Sequence, residues 1–277
     1  QALAPKAAEL DAILRGGFET AIADRLPAHV DPVPGSFASV PGDGFAVHQS
    51  VLTRAGSPAR VPAVGIVPAG WKAGPVVVWL DERGKEAAFA PDGRTPTPEV
   101  KRLLAGGAAV LVPDVFLTGE AGAIGSRIRV KNDDTYFGYN TGYNRSVFAE
   151  RTSDVLTAIA FAAQLGGRDV SLVGRGRAGA WALAARALAG DAVARTAVDL
   201  GGFDFDEVRE TTDEALLPGA VKYGGVLGLA SLAASGRTTI FGAPPEPVAS
   251  WMPMPRAVIV QARPAAGEAL VDAVLRR

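Results

Sequence analysis

Short, largely apolar runs recur along the chain, and between them lie segments whose apolar positions repeat at helical spacing. Pro75 to Leu80 and Ala108 to Val112 have no polar residue, the pattern of strands covered on both faces, and Val170, Leu172 and Val173 form a short run of strand type. Arg195 to Leu200, Thr238 to Phe241 and Arg256 to Gln261 extend the series. Earlier in the chain, Phe45 to Leu52 alternates in part, and Val61 to Val67 follows the turn residues Gly56, Ser57 and Pro58, which predicts an antiparallel hairpin.

The helical pattern falls between these runs. Leu10, Ile13, Leu14, Phe18 and Ile22 give a lead-in helix over Ala7 to Ile22, with a break expected at Gly16 and Gly17. Thr97 and Pro98 are suited to the cap and first position of a helix running to Leu104. Ser146 to Leu165 carries one apolar face through Val147, Phe148, Val155, Leu156 and Ile159 and stops at Gly166 and Gly167. Glu268 to Leu275 forms a closing helix. Asp31 to Gly44 and Phe116 to Thr141 are expected to be loops, the second running into the aromatic stretch TYFGYNTGYNRS. Such aromatic loops either fill gaps or stack on a carbohydrate face.

From Val61 onward, strands alternate with helices, which predicts a three-layer α/β/α sandwich on a mostly parallel, doubly wound sheet with the antiparallel hairpin at its N-terminal side. Residues 1–44 form a helix and a Pro- and Gly-rich lead-in, and residues 45–277 the α/β unit, with an insertion at about 203–234.

Its centre is DVSLVGRGRAGAWALAARALAGD, Asp169 to Asp191: strand, glycine turn, Ala-rich helix. Two chemical motifs fit that turn imperfectly. In the nucleophile elbow G-x-S-x-G, the frame Gly174, Arg175, Gly176, Arg177, Ala178 puts glycine where serine belongs. In the dinucleotide fingerprint G-x-G-x-x-G, Gly174, Gly176 and Gly179 match, and Asp199 stands where the ribose-binding acid is expected. A plain tight connection is the third reading. The turn follows four predicted strands, whereas a dinucleotide unit opens with its glycine turn on the first. Asp81, Glu82, Arg83 and Lys85 follow Leu80, at the strand edge where open α/β sheets bind ligands.

Composition narrows the function classes. A net charge of −1 with scattered basic residues gives no reason to expect nucleic acid or an anionic membrane as partner. The chain has no cysteine, which excludes disulfides and a thiolate nucleophile, and it shows no His, Asp and Glu cluster at metal-ligand spacing, so no cofactor is expected. No apolar run reaches the roughly 20 residues that span a bilayer, and the opening residues lack the basic and apolar blocks of a signal peptide. A soluble chain is expected. Beginning at Gln1, it is either a processed protein, then secreted or periplasmic, or part of a longer one.

The segments PVVVWLDERGK (75–85), AAVLVPDV (108–115), YNRSVFAERTSDVLTAIAFA (143–162), SLVGRGRAGAWALAARALAGDAVARTAVDLGGF (171–203) and LPGAVKYGG (217–225) resemble α/β-hydrolase fold proteins. More narrowly, the chain is similar to the acetyl xylan esterase and cephalosporin C deacetylase-like group of bacterial hydrolases. That resemblance implies ester hydrolysis by a serine, an acid and a histidine in that chain order. Here Gly176 takes the serine position, Glu246 stands near the acid position, and Gln261 to Pro264 contain no histidine where one is due. The two histidines, His29 and His48, both precede the first crossover.

One missing member suggests substrate trapping, whereas two suggest a lost site. The reading is therefore a catalytically degenerate hydrolase-like domain, a binding or packing partner of an esterase domain or subunit, with carbohydrate as the candidate ligand. The alternative is an active ester hydrolase with an unorthodox site. It would take the Arg177 amide as oxyanion donor and one of Asp81, Glu82, Asp199 or Glu246 as base. A dinucleotide-binding protein built on Gly174, Gly176, Gly179 and Asp199 is the second alternative.

Overall fold

The computed structural model describes residues 7–124, 142–166, 169–233, 236–245, 254–265 and 268–275. The predicted Glu246 and most of the aromatic stretch TYFGYNTGYNRS lie outside them. The strands are β1 (Asp31–Pro32), β2 (Ala38–Pro41), β3 (Phe45–Thr53), β4 (Val61–Pro68), β5 (Val76–Leu80), β6 (Ala109–Pro113), β7 (Val170–Arg175), β8 (Arg195–Asp199), β9 (Arg237–Phe241) and β10 (Val258–Val260). Among the helices, α1 (Ala7–Ile22) precedes β1, α2 (Pro98–Ala105) joins β5 to β6, and α3 (Gly119–Ile124) and α4 (Val147–Gly166) lie between β6 and β7. The elbow helix α5 (Arg177–Ala189) follows β7, α6 (Gly225–Leu232) lies between β8 and β9, and α7 (Ala269–Leu275) comes last.

All strands join one sheet in the order β1-β3-β4-β6-β5-β7-β8-β9-β10, with β2 paired to β3. β3 and β4 run antiparallel from Phe45 opposite Pro68 to Leu52 opposite Val61, and β4 is antiparallel to β6. From β6 to β10 every pairing is parallel. The fully buried runs of β5 and β6 follow from this position, because helices cover both faces there. One face carries α1, α4, α5 and α6 on a core that includes Phe18, Phe148, Leu172 and Trp181. The other carries α2 and α7 over Val77, Trp79, Leu103 and Val271.

The structure differs from the sequence reading in four places. Asp31 to Gly44 is not wholly loop: β1 and β2 pair with β3 as short, fully exposed edge strands. Prolines are tolerated there because an edge strand leaves one side unpaired, and exposure leaves no hydrophobic signature to read. Helix α1 runs through Gly16 and Gly17 without a break, because the Tyr223 ring lies on Gly17, where a Cβ would meet it at 2.5 Å. α3 interrupts the long connection after Phe116. The insertion is more than a cover for the sheet edge, since α6 is largely buried and packs on α5 and α1.

Candidate active site

The chain reverses strand order at β5 and β7, and the turns after these neighbouring parallel strands meet. Leu80 pairs with Gly174, and Arg175 pairs with Asp199 on the other side. This register alone brings the turn at Asp81 and Glu82, the elbow at Gly176 and the end of β8 to one edge.

Gly174 and Gly179 let β7 and α5 approach so closely that a Cβ on Gly174 would lie 2.8 Å from the Gly179 Cα. Between them Gly176 adopts φ 59° and ψ −137°, a conformation that strains any residue carrying a Cβ. It is the sharp strand-to-helix geometry of a nucleophile elbow. Glycine avoids that strain and carries no hydroxyl.

The exposed Glu82 side chain reaches over the elbow. Its Oε1 accepts a hydrogen bond of 2.7 Å from the Arg177 backbone N–H, the amide that in an elbow enzyme faces the developing oxyanion. A Cβ on Gly176 would come within 2.6 Å of the same oxygen. The carboxylate also sits at the positive end of the 13-residue helix α5, where a negative charge is favoured.

The other predicted residues serve the framework. Asp81 Oδ1 accepts from the Arg83 backbone N–H at 3.0 Å and from Arg83 Nε at 3.2 Å, closing its own turn. Arg175 donates to Glu99 at 2.9 Å, with its guanidinium 5.1 Å above the Trp79 ring. Burial pushes the Glu99 carboxyl up, but its hydrogen bonds and the Arg175 charge leave it below the usual range. The Arg177 side chain reaches Asp213 in the insertion at 3.1 Å. Asp199 accepts from the Gly201 N–H through Oδ1 at 3.0 Å and from the Ala265 N–H through Oδ2 at 2.8 Å, pinning the loop after β10 to the end of β8.

Both oxygens of Asp199 are thus engaged, and the amide at the start of α5 already holds a carboxylate. A ribose hydroxyl and a pyrophosphate would have to displace these contacts. Glu99 and Asp213 gave no motif signal: one sits in the first turn of α2 and the other in an aperiodic segment, and only the fold brings them to the elbow.

The histidines are elsewhere. His48 lies within β3, stacked on Phe37 at 5.5 Å, and His29 contacts Asp31 at 3.0 Å on the surface. β3 is separated from β7 by three strands, so four interstrand spacings put the His48 backbone roughly 19 Å from β7. Among the described residues, no group of three or more His, Asp or Glu side chains is placed to hold a metal ion, and no helix is long and apolar enough to cross a membrane.

No family model matches the chain, and neither does any curated protein. Its structure does have relatives. Acetyl xylan esterase 1 from Thermoanaerobacterium sp. superposes with a TM-score of 0.61 at 14% identity over 98% of each chain. An acetyl xylan esterase from Paenibacillus sp. R4 gives 0.53 at 14% identity, over 87% of this chain and 80% of that one. A methylesterase gives 0.57 at 14% identity, over 86% of this chain and 52% of that one. The chain therefore has the α/β-hydrolase fold, in the form seen in acetyl xylan esterases.

Proposed function

We propose that this chain uses the α/β-hydrolase fold without serine-hydrolase chemistry, as a binding or structural partner of an acetyl-ester esterase. The observation that carries this reading is the Glu82 Oε1 hydrogen bond to the Arg177 amide beside Gly176. One carboxylate occupies the place of the oxyanion and crowds the place of the nucleophile's Cβ. With His48 three strands away and His29 held at the surface by Asp31, no imidazole of the chain stands at the elbow to shuttle a proton from a serine.

The structural likeness to acetyl xylan esterases favours a second reading, an ester hydrolase with an unorthodox site. There Glu82 would leave the amide on substrate binding and act as base toward water, while the amide received the carbonyl oxygen.

Hydrolysis of p-nitrophenyl acetate and of acetylated xylooligosaccharides separates the two. The first reading expects release of acetate at the rate of buffer, unchanged by Glu82→Gln. Turnover well above buffer that falls by about a hundredfold or more in Glu82→Gln, the scale of a general base, would replace it with the second.

A further inference from the structure

Away from the elbow, a cleft of about 650 Å³ opens between α1, the segment leading into α4 and the turn before α6. Arg145 and Lys222 are the charged side chains on its described lining, and no carboxylate joins them there. Arg145 is neutralised from outside the lining, by Glu150 at 2.7 Å and Asp24 at 3.0 Å. Those bonds hold its guanidinium in place and raise its pKa against the effect of burial. Lys222 has no carboxylate partner among the described residues, its ammonium standing 5.5 Å over the Tyr223 ring.

The remaining lining suits a polyhydroxylated ring. Tyr143 is 83% exposed at the mouth, with its ring available for stacking. Ser146 Oγ accepts from the Ala149 N–H, which leaves its hydroxyl proton free to donate. Thr20 spends its proton on the Gly16 carbonyl and keeps its lone pairs for a hydroxyl donor. A Cβ on Gly16 would meet nothing within 4 Å, so the α1 wall is open.

We infer that this cleft binds an acidic saccharide. The uronate carboxylate would pair with Lys222, its pyranose face would lie on Tyr143, and its hydroxyls would meet Ser146 and Thr20. The inference does not depend on whether the elbow is inert, since none of these residues touches Glu82 or Gly176.

Isothermal titration with an aldotetraouronic acid, and with xylotetraose as its neutral counterpart, tests the inference on the intact chain. Saturable binding of the acidic sugar is expected, at least tenfold tighter than the neutral one and weakened by added salt. Lys222→Ala should weaken it by about tenfold, and Tyr143→Ala by several-fold. Both side chains are partly or largely exposed, and unchanged circular dichroism would confirm that the variants fold. Glu82→Gln should leave the affinity unaltered, so failure here and failure at the elbow are distinguishable. No saturable binding at 10 mM, equal affinity for the neutral sugar, retention of affinity in both variants, or binding of inorganic phosphate without the sugar would each overturn it.

Discussion

Asp154 illustrates how one residue type takes two roles according to its surroundings. In sequence it reads as one more acid on a helix, but in the structure it is 7% exposed, and its Oδ2 accepts from the Phe116 N–H at 2.9 Å. Burial raises its pKa to about 7, and the nearby Glu150 charge adds to this, against the Phe116 amide, Arg54 and Arg145. Asp24 goes the other way: burial alone would raise it, but bonds from Arg54 and Ser153 and the Arg54 charge hold it below the usual value. For Asp154 the native state binds the proton more tightly than the unfolded chain. Its contribution is therefore fully present below the unfolded pKa and is lost as pH rises through 7. Each tenfold difference in proton affinity between the two states is worth about 1.4 kcal/mol, so the loss is on the order of a few kcal/mol. Asp154→Asn, which keeps an acceptor for Phe116 and cannot ionise, should match the parent near pH 4 and melt higher than it at pH 8. The expected difference is roughly 3–10 °C by thermal circular dichroism. Equal melting temperatures at pH 8 would show that the fold does not raise the Asp154 pKa. The helix pattern shows Glu150 one turn before Asp154, but not the burial of Asp154 or its contacts with the Phe116 amide after β6 and with Arg54 after β3.

At the scale of elements, what was legible in the sequence follows from covering. β5 and β6 have helices on both faces, so their apolar runs have no polar interruption, β7 is broken only by the buried Ser171 before Gly174, and the elbow between β7 and α5 is marked by its glycines. β1 and β2 bury nothing and left no such mark. The elbow's backbone was readable because it rests on local conformation. The placing of Glu82 on the Arg177 amide was not, because it depends on β5 and β7 being neighbours. Local packing also assigns unequal costs to the glycines. Gly174→Ala would put a methyl 2.8 Å from the Gly179 Cα and 2.9 Å from the Ala178 carbonyl oxygen, both backbone atoms that cannot rotate away. Gly179→Ala has 3.1 Å to the Asp199 carbonyl oxygen as its nearest approach. Overpacking of this kind costs typically about 1–3 kcal/mol. Urea unfolding should therefore place Gly174→Ala at the upper end of that range, below Gly179→Ala in midpoint, with both slopes unchanged. The reverse order would mean that strand and helix can part more easily than their close contact implies.

Over the whole molecule, the lead-in helix decides whether residues 1–44 behave as an appendage or as part of the fold's core. Phe18 on α1 is fully buried in the same cluster as Phe148 of α4 and Trp181 of α5, and its ring meets Tyr223 at 5.9 Å. α1 also touches α4, α5 and α6, so it closes one face of the sheet as α2 and α7 close the other. A helix that supplies buried side chains to a shared core should unfold with that core. Phe18→Ala is expected to remove about 3–5 kcal/mol from the global stability. Helix loss followed by far-ultraviolet circular dichroism and core exposure followed by tryptophan fluorescence should still coincide in a single urea transition, shifted to lower denaturant. The tryptophans suit this comparison because Trp181 reports the face that α1 covers and Trp79 the opposite one. Should Phe18→Ala instead produce an early loss of ellipticity while the fluorescence midpoint stays at the parent value, α1 would be an independently melting attachment. The cleft it helps to form would then open without the sheet being disturbed.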